Sequence, residues 1–231
     1  MYFQYGEKET NYLKSKCKKL AEVIEKVGHI NREIEQNLFI SIIHQIVGQQ
    51  ISMKAHETIW RRFKDNLATI TPKTILNTGV EELQTLGISY KKAEYIIDFA
   101  QKVKNKDIDL DSLYRKSDEE VIQELSSLKG IGVWTAEMLL LFCLERQNVL
   151  SFNDLGIQRG LRMIYHHRKI TKQLYEKYRK RFSPYCSVAS FYLWAVSGGA
   201  IEDMKDYAPL KTSPKSHNKK TANKITKKKT N

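Results

Sequence analysis

Leu128-Lys129-Gly130-Ile131-Gly132-Val133-Trp134-Thr135-Ala136, with Asp154 twenty residues beyond Trp134 in Phe152-Asn153-Asp154-Leu155-Gly156, is the part of this chain that decides its fold. Two glycines flank one apolar residue between segments of helical periodicity. Such glycines reach backbone conformations closed to residues with a Cβ, and the helix that follows points its first N–H groups at an anion. Thr135 is expected to add a hydroxyl donor there, with Lys129 as a phosphate contact. An element of this kind holds a nucleic-acid backbone without reading its sequence. The turn alone serves equally well as a structural connection, and Asp154 alone reads as an N-cap ahead of Leu155-Gly156-Ile157. Together, a phosphate anchor and a placed carboxylate point to chemistry on a nucleic acid.

Helical periodicity dominates on both sides of this stretch, and no segment alternates as a strand would. Tyr12, Leu20, Val23, Ile24 and Val27 form an apolar stripe ended by Gly28, and Leu38 to Val47 is strongly apolar before Gly48-Gln49-Gln50. Thr71-Pro72 combines a capping hydroxyl with proline at the first helical position. Ser117-Asp118-Glu119-Glu120 is a capping box. Further helices are expected at about 133–145, 155–165, 172–182 and 185–197. The fold class is all-α, with about ten helices.

The formal charge of +13 and pI near 9.5 favour a polyanionic partner. Eight of those charges are lysines in residues 211–231, which hold no acid, so the rest of the chain carries only +5. Residues 211–231 read as a disordered basic tail that adds unspecific phosphate attraction. The three cysteines, Cys17, Cys143 and Cys186, have no metal-ligand spacing and read as reduced thiols. His166-His167 is a weak metal motif, because adjacent helical residues face apart. The start of the chain lacks the order of a signal peptide, and the longest apolar run, Met138 to Leu144, is too short to span a bilayer. The expectation is a soluble, cytoplasmic protein without a membrane segment.

The run from Leu128 to Gly160 resembles the helix–hairpin–helix DNA glycosylase superfamily, and within it the 3-methyladenine DNA glycosylase II, or alkylation-repair, branch. Phe39-Ile40-Ser41-Ile42-Ile43-His44-Gln45-Ile46-Val47-Gly48-Gln49-Gln50-Ile51-Ser52 is similar to that family's Gln-Gln-x-Ser helix junction. Leu86-Gly87-Ile88-Ser89-Tyr90-Lys91-Lys92-Ala93 looks like its wedge loop, and Pro184-Tyr185 through Tyr192-Leu193-Trp194 like its last helix. The resemblance covers roughly residues 5–207. It implies one glycosylase domain over residues 1–210, made of two helical subdomains with the active-site cleft between them. The first, at about 30–145, contains the hairpin; the second combines about 1–29 with 146–210. The extra N-terminal β-domain of larger relatives is not expected here.

The resemblance also implies roles. Bifunctional members place a lysine two residues after the second hairpin glycine; this chain has Trp134, which cannot form a Schiff base. The implied reaction is therefore monofunctional: water displaces the base and leaves an abasic strand. Asp154 is the implied catalytic carboxylate, stabilising positive charge on the sugar and orienting water. Trp134, Trp194 and Met138 are implied walls of the base pocket. Gly130, Gly132, Thr135 and Lys129 are placed at the DNA backbone, Tyr90 in the gap left by a flipped base, and Gln50 and Ser52 near the DNA. Iron–sulfur branches need four clustered cysteines, which this chain lacks. No cofactor is implied and no metal is held by side chains, although the carbonyls of Ser126, Leu128 and Ile131 are candidates for a monovalent cation. The implied partner is double-stranded DNA containing damaged bases, bound by a monomer. Cys186 stands where many relatives carry arginine and Ser151 where proline is common, both outside the expected chemistry. Two other functions stay open: a glycosylase for deaminated or mismatched bases, and a non-catalytic DNA-binding module.

Overall fold

Side-chain caps start most of the helices. The computed structural model describes residues 1–209, so the expectation for a tail at 211–231 lies outside the described residues. The helices are α1 (Glu7–Lys16), α2 (Lys18–Val27), α3 (Leu38–Gly48), α4 (Met53–Asn66), α5 (Pro72–Thr85) and α6 (Tyr90–Asn105). A 3₁₀ turn at Ser112–Arg115 precedes α7 (Asp118–Ser126), α8 (Val133–Phe142), α9 (Leu155–Tyr165), α10 (Lys172–Phe182) and α11 (Cys186–Ser197). Asn37, Ser52, Thr71, Ser89, Ser117, Asp154 and Thr171 each accept a hydrogen bond from the first turn of the helix they open. These caps satisfy donors that a helix start leaves unpaired.

The all-α expectation holds: there are eleven α-helices and no strand among the described residues, only a bridge between Tyr2 and Glu33. Three details differ from the sequence reading. The N-terminal stripe is two helices, because Cys17 turns extended (φ −157°, ψ 108°) and buries its thiol beside the Tyr165 hydroxyl at 3.1 Å. Gly79, at φ 79°, kinks α5. Helix α8 stops at Phe142 rather than 145, since Glu145 lies at φ 51° in the left-handed region.

Helix packing falls into two sets. In one, α3 packs on α4, α6 and α8, α5 on α6, and α7 on α8. In the other, α1, α2, α9 and α10 gather around α11. Helix α11 is the core of its set, with Val188, Ala189, Phe191, Tyr192, Leu193 and Val196 buried. Its approach to α9 depends on Gly160, where a Cβ would lie 2.3 Å from the Leu193 carbonyl oxygen. A backbone atom cannot yield as a flexible side chain does, so any side chain there drives the helices apart. Gly160→Ala is expected to lower stability by about 1–3 kcal/mol in urea unfolding; an unchanged midpoint would refute this close approach.

Candidate active site

Helix α8 differs from its neighbours at its start. Its N-cap is Gly132, which supplies no side-chain acceptor. The N–H groups of the first turn therefore face outward beside exposed Val133 and Trp134, a ready site for a phosphate. Gly130 takes φ +83°, and a Cβ there would sit 2.5 Å from the Tyr95 ring. Its carbonyl accepts from Gln49 Nε2 at 2.6 Å, while Lys92 Nζ donates to the carbonyls of Val47 (2.9 Å) and Gln49 (2.6 Å). The hairpin is thus tied to the end of α3 and the start of α6. Gly48 allows that junction to close, because His56 occupies the space of its Cβ.

At the far side of the site, Asp154 opens α9 and is only 7% exposed. Its Oδ1 accepts from the Ile157 N–H (2.8 Å) and from Trp194 Nε1 (2.8 Å), and its Oδ2 from Trp134 Nε1 (2.9 Å). The N-cap reading of Asp154 holds, and the same side chain also joins the hairpin helix to α11. Three N–H donors suit an ionised carboxylate, which offers only acceptor lone pairs. The Trp134 ring, 41% exposed, is bridged to Asp154 at the surface. Trp194 packs near-parallel to Phe142, at 5.8 Å between centroids, and also against Phe191. Gly156 makes room for it: a Cβ there would lie 2.7 Å from Trp194 Cδ1.

The remaining expected residues are placed unevenly. Tyr90 is the first residue of α6 and is 56% exposed, beside the Ser89 cap. Gln50 is exposed at φ 58°, and Ser52 caps α4 by accepting from the Ala55 N–H. Met138 lies one turn beyond Trp134 but is buried. Thr135, on the first turn of α8, is largely buried at 6% exposure. Lys129 is not a free charge, since its Nζ lies 2.7 Å from Asp98 Oδ1, and Lys102 pairs with the same carboxylate. These two lysines, through hydrogen bonds first, hold the Asp98 carboxyl below its ordinary range.

The sequence reading passes over several contacts. Ser151, expected to stand outside the chemistry, is fully buried and donates to Glu137, one turn along α8 from Trp134. Burial pushes the Glu137 carboxyl upward, the Ser151 hydroxyl and Lys172 oppose this, and the Asp154 charge adds to it. Arg32, on the segment before α3, lies over Phe142 and Trp194. Only Gly156, two residues after the aspartate and at a helix start, carries a signal in the sequence.

Among the described residues, no group of three or more His, Cys, Asp or Glu side chains is placed to hold a metal. His166 stacks on Tyr207 and His167 Nε2 lies 2.7 Å from the Tyr178 hydroxyl. The hairpin carbonyls are a different case. Leu128 accepts from the Ile131 N–H (3.1 Å), while the Ser126 and Ile131 carbonyls take no loop N–H among the described residues. Oxygen donors of this kind fit a hard cation.

A model of the HhH-GPD superfamily of base excision DNA repair proteins matches residues 43–184. The chain belongs to this superfamily. It is 33% identical over 173 residues to DNA-3-methyladenine glycosylase 1 of Schizosaccharomyces pombe, covering 72% of this chain and 76% of that protein. It is also similar to the crystal structure of a DNA-3-methyladenine glycosidase from Bacillus halodurans, with a TM-score of 0.78 at 32% identity, covering 88% of this chain and 95% of the other. A third likeness is the Schizosaccharomyces pombe 3-methyladenine DNA glycosylase in complex with abasic DNA, with a TM-score of 0.71 at 29% identity, over 83% of this chain and 97% of that one.

Gly132 offers a clean test of the hairpin, because no atom lies within 4 Å of where its Cβ would stand. Gly132→Leu is expected to leave the helices intact and to weaken binding of undamaged duplex about tenfold, whatever its sequence. Unaltered affinity in a fluorescence anisotropy titration would count against a phosphate contact at this turn.

Proposed function

We infer that the protein is a monofunctional DNA glycosylase that flips an alkylated purine out of duplex DNA and removes it by hydrolysis, leaving an abasic site. The observation that carries this reading is Asp154 held between the Trp134 and Trp194 indoles, beside a helix start free to take a phosphate.

The chemistry follows from the bond to be broken. Cleavage of the bond from sugar C1′ to the purine develops positive charge on the sugar through an oxocarbenium-like transition state. An ionised carboxylate fixed beside that sugar lowers the barrier electrostatically, and costs no reorganisation because its donors already hold it. Asp154 fills this role and orients the water that attacks C1′. At the position where bifunctional relatives place their lysine this chain has an indole, so no Schiff base forms there and the strand is left uncut.

Duplex DNA hides the bond, and extruding the nucleotide costs a few kcal/mol. Backbone N–H groups around Gly130, Gly132 and Thr135 hold the phosphate path, and Lys129 divides its charge between Asp98 and the DNA. Tyr90 fills the gap in the duplex, with Gln50 and Ser52 near the same groove. In the pocket, 3-methyladenine and 7-methylguanine are cations, which aromatic faces attract by about 0.5–2 kcal/mol per ring. Trp134 and Trp194 supply those faces, and Met138 closes the wall behind Trp134. The carbonyls of Ser126, Leu128 and Ile131 would hold a monovalent cation, adding positive charge at the phosphate. The hairpin set, about residues 30–145, and the set from about 1–29 and 146–210 act as two subdomains with the cleft between them. One copy of the chain is sufficient for all of these contacts with damaged duplex.

Release of free base from a duplex carrying one 7-methylguanine tests this reading. The wild-type protein is expected to free the base without cutting the strand. Asp154→Asn is expected to slow release by about 10²–10³-fold while binding of an abasic-site duplex persists. If wild type and variant bind that duplex equally and neither frees a base, the protein is a non-catalytic DNA-binding module.

A further inference from the structure

Arg32 lies at the site without belonging to the roles assigned so far. Its backbone is pinned: the Phe3 N–H donates to the Arg32 carbonyl (2.8 Å), and the Glu35 N–H donates to the Phe142 carbonyl at the end of α8 (3.1 Å). The side chain lies over two rings, with its guanidinium carbon 5.5 Å from the Phe142 centroid and 5.6 Å from that of Trp194. Those rings are 5.8 Å apart and 24° from parallel. The Trp194 indole in turn donates to Asp154, so one ring separates a guanidinium from the carboxylate. Arg146, Arg159 and Arg162 pair with carboxylates, whereas Arg32 pairs with none among the described residues. As a residue Arg32 is exposed, so a change there does not open the core. Burial of the guanidinium lowers its pKa from the ordinary arginine value, but the group stays charged at neutral pH.

Such a cation matters differently for two kinds of base. When the C1′–N9 bond breaks, both electrons leave with the purine. An N-alkylated purine is already positive and departs neutral, so it needs no help. A neutral purine departs as an anion, its charge spread over the ring nitrogens and any carbonyl oxygen. The water oxygen bonds to C1′ and gives its proton to Asp154 and then to solvent, while the purine anion takes a proton from solvent. That anion requires a donor as the bond breaks, and a guanidinium offers five N–H groups with a permanent charge.

We propose that Arg32 is a specificity-determining residue that extends this pocket to neutral purines with acceptor-rich edges, of the deaminated, hypoxanthine type. The proposal rests on the reading of Trp194 and Asp154 as a base-excision pocket. The same charge disfavours a cationic base stacked on Trp194, so the two substrate classes should respond to it in opposite senses.

Single-turnover release from duplexes carrying one hypoxanthine or one 7-methylguanine separates these effects. Arg32→Gln, which keeps size and amide donors but loses the charge, is expected to slow hypoxanthine release about 10- to 100-fold. Release of 7-methylguanine should be unchanged or faster, and Arg32→Lys should recover part of the hypoxanthine rate. Equal losses on both lesions, no loss on either, or a wild-type protein that frees 7-methylguanine but not hypoxanthine would overturn the proposal and leave the proposed function standing. A wild-type protein that frees neither base would instead overturn the base-pocket reading itself.

Discussion

The shared carboxylate of Asp154 is the interaction on which the rest of the site depends. Three N–H groups converge on it: Ile157 from its own helix, Trp134 from the hairpin helix and Trp194 from the last helix. Each comes from a different part of the fold, so the carboxylate is correctly placed only when α8, α9 and α11 are all in position. The constraint works in both directions. A buried carboxylate without its donors is costly, so the helices that supply the donors are drawn to the same point.

Several close approaches make that convergence feasible, and each uses a glycine for a steric reason. Gly160 lets α9 meet the backbone of α11, and Gly156 lets the Trp194 ring lie against the start of α9. Gly130 turns the hairpin over the Tyr95 ring. A second network sets the hairpin from behind, where Gln49 reaches the Gly130 carbonyl and Lys92 gathers the carbonyls at the end of α3. Histidines in that junction are structural: His44 packs between His56 and Trp60, and burial pulls its pKa down to about 4. It stays neutral at physiological pH, which suits a group inside the α3–α4 contact.

Much of this is legible in the sequence, for reasons that can be stated. Helix starts announce themselves through Thr71-Pro72 and Ser117-Asp118-Glu119-Glu120, since capping is local chemistry. The hairpin is legible because its two glycines lie one residue apart between helical segments, and the Asp154 cap because it directly precedes the helical pattern of Leu155-Gly156-Ile157. What depends on a partner distant in sequence is not legible. Lys129 gives no sign that Asp98, thirty-one residues away, holds it. Ser151 looks like a neutral departure from its relatives until it meets Glu137. Arg32 precedes any motif, and its importance arises only when α8 and α11 bring Phe142 and Trp194 under it.

The central claim is that the indole donors fix the carboxylate for chemistry rather than for DNA binding. Its most direct test is single-turnover base release by a variant in which both tryptophans become phenylalanine, keeping aromatic faces but losing both N–H groups. The account predicts that Trp134→Phe with Trp194→Phe slows release from 7-methylguanine duplex at least about tenfold, while the affinity for an abasic-site duplex stays near that of the wild type. Release at the wild-type rate would contradict it.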